Sequence, residues 1–184
     1  MTISAEEAKA VFNSANRLFS QEEMETAMDR MAAEITAELA ESDPIVLSVM
    51  NGGLIPAGQI LTRLDFPLRV DYVHATRYRG ETSGSELHWL RPPEELLEGK
   101  VVLILDDILD EGVTLAAIVE SCRNQGAVSV HTAVLVEKDH ERSNGFQADF
   151  VGVKAADCYL FGYGMDYKGY LRNAAGIYAV ASSA

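Results

Sequence analysis

Residues 100–115 read KVVLILDDILDEGVTL, and this stretch decides the fold. Its first part, Lys100–Leu105, carries the uninterrupted apolar run VVLIL, rich in β-branched side chains, which predicts a buried strand. Two acids end the run, and a polar segment with Gly112 leads into Thr114–Gln125, where apolar residues recur at helical spacing before Gly126. Ser129–Val136 is a second apolar, β-branched run. Strand, helix and strand in this order make a βαβ unit of parallel strands.

Working upstream, Ser20 and Glu23 form a capping box, followed by Met24, Met28, Met31, Ile35 and Leu39 at helical spacing. That predicts an amphipathic helix to about Glu41, preceded by a shorter helix within residues 5–19. Ile45–Met50 reads as a buried strand stopped by Asn51-Gly52-Gly53, and Leu54–Leu64 as a helix opened near Pro56. Leu68–Tyr78 has strand character, and residues 79–86 (RGETSGSE) form a polar loop able to serve as a lid. Pro92-Pro93 breaks the chain before a short helical stretch to Glu98. Downstream, Asp149–Val153 and Tyr159–Phe161 read as short strands ahead of a loop-rich tail. The expectation is one α/β domain with a mainly parallel central sheet flanked by helices.

The chain has 184 residues, 48% of them hydrophobic, enough for a packed core. With 15 basic against 28 acidic residues the net charge is −13, which speaks against a general nucleic-acid binder. A small anion can still be held by oriented backbone N–H groups and a few local cations. The N-terminal residues carry no basic segment and no apolar core of a signal peptide, and no window approaches a membrane span. Cys122 and Cys158 are too few and too far apart for a disulfide framework or a zinc site. A cytoplasmic enzyme is the expectation. The four histidines, His74, His88, His131 and His140, lack metal-ligand spacing and read as structural or surface groups; only His140 lies near a candidate pocket.

In a parallel sheet, ligands bind at the carboxyl ends of the strands. Three segments of unusual composition end there: Asn51-Gly52-Gly53, Asp106–Thr114 and Glu137–His140. In the second, Gly112, Thr114 and a helix start make a cradle of N–H groups suited to a monophosphate. The same segment carries Asp106, Asp107, Asp110 and Glu111, which would repel a phosphate if all faced it. The pattern fits a ligand with two ends, a phosphate for the cradle and hydroxyls or Mg²⁺ for the carboxylates, as in a ribose 5-phosphate. A signalling receiver domain also ends a strand in paired acids, but begins with that strand, whereas a hundred residues precede it here. No GxxxxGK[ST] phosphate loop occurs.

Leu103–Leu115 resembles the phosphoribosyl pyrophosphate (PRPP) signature of type I phosphoribosyltransferases, and looser matches over residues 45–172 resemble the hypoxanthine-guanine branch. The resemblance implies a type I phosphoribosyltransferase fold with a small hood. Its layout would be one domain over residues 1–184, with N-terminal helices and a hood element in 1–42. The core sheet and base pocket would fall in 43–165, and a tail in 166–184. It implies that Asp106 and Asp107 hold the ribose hydroxyls and that Asp110, Glu111, Gly112, Val113 and Thr114 wrap the 5′-phosphate. Asp110 would also handle the proton at N7 of the base. Asn51 and Gly52 would contact pyrophosphate in a loop that often contains a non-proline cis peptide, with Arg172 as the cation. Lys138 would donate to a 6-oxo group, Tyr159 stack on the purine, Leu160 meet its exocyclic edge, and Tyr78 belong to the lid. Asp166 would contact Mg²⁺. A homodimer or homotetramer would be usual. Two positions depart from the family pattern, Glu111 where Thr or Ser is common and Asn51 where Lys is common. The alternatives are an enzyme of the same fold acting on xanthine or a pyrimidine, and a nucleotide-binding regulator.

Overall fold

The computed structural model describes residues 3–77, 87–142 and 144–181. Tyr78 and the 79–86 loop, read above as a lid, lie outside the described residues. The first half of the chain runs α1 (Ala5–Ser14), β1 (Asn16–Ser20), α2 (Gln21–Leu39), β2 (Ile45–Val49), α3 (Leu54–Leu61), β3 (Arg69–Arg77) and β4 (Leu87–Arg91). The second half runs β5 (Val101–Leu109), α4 (Val113–Asn124), β6 (Ser129–Asp139), β7 (Phe150–Ala156), β8 (Leu160–Phe161) and β9 (Gly176–Ala179). The large sheet has the order β4-β3-β2-β5-β6-β7, parallel throughout except for β4 on its edge. β1, β9 and β8 form a separate antiparallel sheet, the small hood beside the core.

The side chains of β5 explain the layering. Leu103 and Leu105 pack with Met24, Met28, Met31 and Ile35 of α2 and Ile60 of α3. Val102 and Ile104 pack on the other face with Leu115, Ile118 and Val119 of α4. All four β5 side chains are fully buried, so the run shows no alternation of polarity although its side chains alternate between two cores. Each such burial stabilises by roughly 1.5–3 kcal/mol. Helix α2 starts where the capping box placed it, with Ser20 Oγ accepting from Glu23 N and Glu23 accepting from Ser20 N at 2.8 Å. Among the described residues no helix is long and apolar enough to cross a membrane. Cys122 is buried in the α4 core, which pushes its thiol up to about 11 and leaves it inert, and Cys158 is also free.

Several elements differ from the sequence reading. The first helix stops at Ser14, and Asn16–Ser20 is strand β1, because its backbone pairs with β9 while Phe12 packs on Phe161 and Tyr178. No helix follows Pro92-Pro93: the buried Asp71 carboxylate takes the N–H groups of Glu94 (2.7 Å) and Glu95 (3.2 Å) and pins the chain as a turn. The sequence reading had no strand at Leu87–Arg91, whose Trp89 packs into the α4-side core as β4 pairs with β3. The tail contains β9. Most consequential, β5 does not end at Leu105. Asp106 still pairs with Val134, Ile108 with Val136 and Leu109 with Glu137, so the paired acids belong to the strand itself. β6 likewise runs on to Asp139, which puts Lys138 on a strand.

Candidate active site

From β2 the chain crosses to β3 on one side, and it returns through β5 on the other. The loops after β2 and β5 therefore leave in opposite directions and open a crevice at their carboxyl ends. A cavity of about 390 Å³ lies there, lined by Asn51 and Gly52 from the first loop and by Asp106 through Thr114 from β5 and its loop. Asp166 and Arg172 close it from the C-terminal segment.

Each wall has a local reason. The peptide between Met50 and Asn51 is cis, one bond before Asn51–Gly52. A Cβ at Gly52 would collide with the Asp107 carboxylate, so any larger residue there would have to displace that side chain. Gly112 caps α4 in the left-handed region at φ 72°, and a Cβ there would sit 3.2 Å from both Leu109 Cδ1 and Phe146 Cβ. The first turn of α4, whose leading N–H groups have no partner within the helix, lines the cavity from Gly112 to Leu115. Glu111 is exposed beside this cradle.

Among the acids, Asp107 donates its N–H to Asp106 Oδ1 at 2.9 Å. Burial, and then the Asp107 charge, push Asp106 well above the usual carboxylate range. Burial raises Asp107 as well, against its hydrogen bond with Asp106 and the nearby Arg172 charge. The pair thus retains a proton more readily than two free carboxylates. Arg172 donates to Asp166 Oδ1 at 2.7 Å and to the Gly164 carbonyl at 2.6 Å, so the two C-terminal site residues brace each other.

A second cavity of about 210 Å³ adjoins the first and shares Asp107, Ile108, Asp110 and Asp166 with it. Lys138, Tyr159, Leu160 and Met165 line the rest. Tyr159 is 50% exposed and meets Tyr167 edge-on at 5.3 Å between ring centroids, so its face is a wall rather than core. Lys138 Nζ lies 3.0 Å from Asp110 Oδ2 and 3.1 Å from Asp157 Oδ1. Burial pulls Lys138 down, but these two carboxylates outweigh it and hold the ammonium above its ordinary value. Burial pushes Asp110 up, and its hydrogen bonds with Lys138 and His140 outweigh that, leaving it below the ordinary value. Ligand atoms of Asp110, His140 and Asp157 lie within 4.8 Å of one another, a spacing compatible with a metal ion. Lys138 already supplies the positive charge between the two aspartates, so a divalent ion there would have to displace it.

The structure brings together in these two cavities every site residue named from the sequence except Tyr78. The sequence reading missed Arg142. This buried guanidinium donates to the carbonyls of Asp110 (2.6 Å), Leu109 (3.2 Å) and Lys138 (2.7 Å) and pairs with Glu137 at 3.1 Å, stitching the ends of β5 and β6 together. Its signal was only a charged run after a strand, which reads as solvated loop. His140, left near the pocket, reaches Asp110 Oδ1 with Nε2 at 3.1 Å.

Residues 14–168 match the family model described as phosphoribosyl transferase domain. The chain belongs to the phosphoribosyl transferase domain family. Over 157 residues, 85% of the chain, it is 32% identical to a hypoxanthine-guanine phosphoribosyltransferase of Bacillus subtilis, covering 87% of that protein. A protein of the same name from Staphylococcus epidermidis is 31% identical over 86% of the chain and 89% of its own length. The crystal structure of a hypoxanthine phosphoribosyltransferase from Staphylococcus aureus superimposes with a TM-score of 0.88 at 25% identity, covering 94% of this chain and 95% of that one. These matches bear out the type I phosphoribosyltransferase fold and the glycosyltransferase class expected from the sequence. They assign no role to individual side chains of this transferase.

Proposed function

We propose that this phosphoribosyltransferase serves purine salvage, transferring the 5-phosphoribosyl group of PRPP to N9 of hypoxanthine or guanine. The products are IMP or GMP and pyrophosphate. The observation that carries this reading is Asp110, which lines both cavities and so stands where a ribose phosphate and a base would meet.

The 5′-phosphate takes the N–H cradle from Asp110 to Thr114, where helix α4 contributes its positive end. Asp106 and Asp107 take the ribose 2′- and 3′-hydroxyls, which donate to their carboxylate oxygens. The base lies against Tyr159, with Lys138 on its 6-oxo group and the Leu160 backbone at its exocyclic edge. As the C1′–O bond breaks and the N9–C1′ bond forms, Asp110 accepts the N7 proton. Its depressed basicity keeps it an anion until the base arrives, and Lys138 moving to the 6-oxo group frees an oxygen to receive the proton. Arg172 and the Asn51–Gly52 backbone hold the departing pyrophosphate. Asp166, a hard carboxylate in both cavities, fits Mg²⁺ carried mainly by the substrate's own oxygens; when bound, the ion neutralises charge on the pyrophosphate.

Asp110→Asn keeps the size and removes the base. It should lower turnover by about 10²- to 10⁴-fold while KM for PRPP changes little. Near-normal turnover would remove Asp110 from proton transfer.

A further inference from the structure

His140 sits at the end of β6 and lines neither cavity, so it would meet neither the sugar nor the base. Its ring is nonetheless committed at both nitrogens. Nε2 lies 3.1 Å from Asp110 Oδ1, and Nδ1 lies 3.2 Å from the carbonyl oxygen of Glu141. A carboxylate and a carbonyl can only accept hydrogen bonds, whereas a neutral imidazole carries a proton on one nitrogen alone. Both contacts are satisfied at once only by the imidazolium. The side chain is 17% exposed, and of its two contacts the one with Asp110 is the more enclosed.

The surroundings agree in sign. Asp110 faces the ring from beyond β5 and Asp157 from the turn after β7; Lys138 and Glu141 flank it on its own segment, and the Arg142 guanidinium holds the Asp110 carbonyl. The Glu141 carbonyl, and after it the Asp110 carboxylate, hold His140 above its ordinary value. Asp110 therefore has a cation on each oxygen, Lys138 on Oδ2 and His140 on Oδ1. Only Lys138 has a use in the base pocket, and once it turns there His140 is the cation that remains.

We propose that His140 is a positioning residue for Asp110: as an imidazolium bridging the Asp110 carboxylate and the Glu141 carbonyl, it keeps Asp110 ionised and turned toward the base after Lys138 has moved. This rests on the reading of Asp110 as proton acceptor. A neutral side chain at 140 removes a cation from beside the carboxylate, so Asp110 protonates at higher pH. The acid limb of kcat, which reports the base-bound complex, should move up by about half to one pH unit in His140→Gln, a shift kept modest by the half-exposed carboxylate. His140→Lys, which restores a cation, should bring the limb back. Proton NMR of the whole chain reads the same pair without turnover: the His140 ring should titrate above free histidine, and Asp110→Asn should lower its midpoint. An unmoved acid limb in His140→Gln, beside an Asp110→Asn variant that is crippled, would overturn the proposal alone. So would a ring that titrates as free histidine in the native chain. Near-normal turnover by Asp110→Asn would instead overturn the reading beneath it.

Discussion

Lys138 is held by two carboxylates, yet its proposed work is on the base. The contacts with Asp110 at 3.0 Å and Asp157 at 3.1 Å keep the ammonium charged in a half-buried place, where burial alone would favour the neutral amine. If it donates to a 6-oxo group, Lys138→Ala should raise KM for the base about ten- to a hundred-fold, the worth of a charged hydrogen bond, and leave KM for PRPP within about twofold. Steady-state kinetics with each substrate varied separately checks this, and equal rises in both constants would contradict it. At this scale much of the site was legible, because Asp106, Asp107, Asp110 and Gly112 stand in one short stretch whose chemistry is coherent. Arg142 was not, since its role comes from reaching carbonyls on two strand ends that are brought together only by folding. The full use of His140 was hidden for the same reason.

Among the elements, β5 and β6 were read correctly in kind and too short in length. An apolar run marks where a strand is buried, but Asp106 and Asp107 extend its ladder because β6 continues alongside. β4 escaped notice for a related reason: an edge strand of five residues, with Trp89 packed against the core, has too little alternation to announce itself. What fixes that edge is Asp71, buried and accepting from Arg91 at 2.8 Å and from the backbone of Tyr72, Glu94 and Glu95. Burial pushes Asp71 up, but Arg91 and these three N–H groups outweigh it, so its folded value lies below the ordinary one. A carboxylate depressed on folding stabilises fully above its unfolded value near pH 4, and that contribution is lost as pH falls through the folded value. Asp106 and Asp107 are raised and have the opposite sign, so the variant must be compared with the native chain at each pH. Asp71→Asn should cost about 1–3 kcal/mol at pH 7 in urea unfolding and show a smaller loss on going to pH 3. An unchanged pH slope would contradict the assignment.

For the whole molecule, one topological fact connects sequence to function: the order β4-β3-β2-β5-β6-β7 puts the switch point between β2 and β5. The glycine-rich stop after β2 and the acidic, helix-initiating stretch after β5 therefore face one crevice, and β6 brings Lys138 to its rim. The C-terminal segment folds back to add Tyr159, Asp166 and Arg172, which the family resemblance singled out and the local residue pattern did not. A net charge of −13 and a phosphate-bearing substrate are compatible because the anion is met locally, by α4 and Arg172. The most direct test of purine phosphoribosyl transfer is pyrophosphate release from PRPP, measured with Mg²⁺ and a panel of hypoxanthine, guanine, xanthine, adenine and uracil. Release should require a base and be fastest with hypoxanthine or guanine; turnover confined to another base, or none with any of them, would contradict the account.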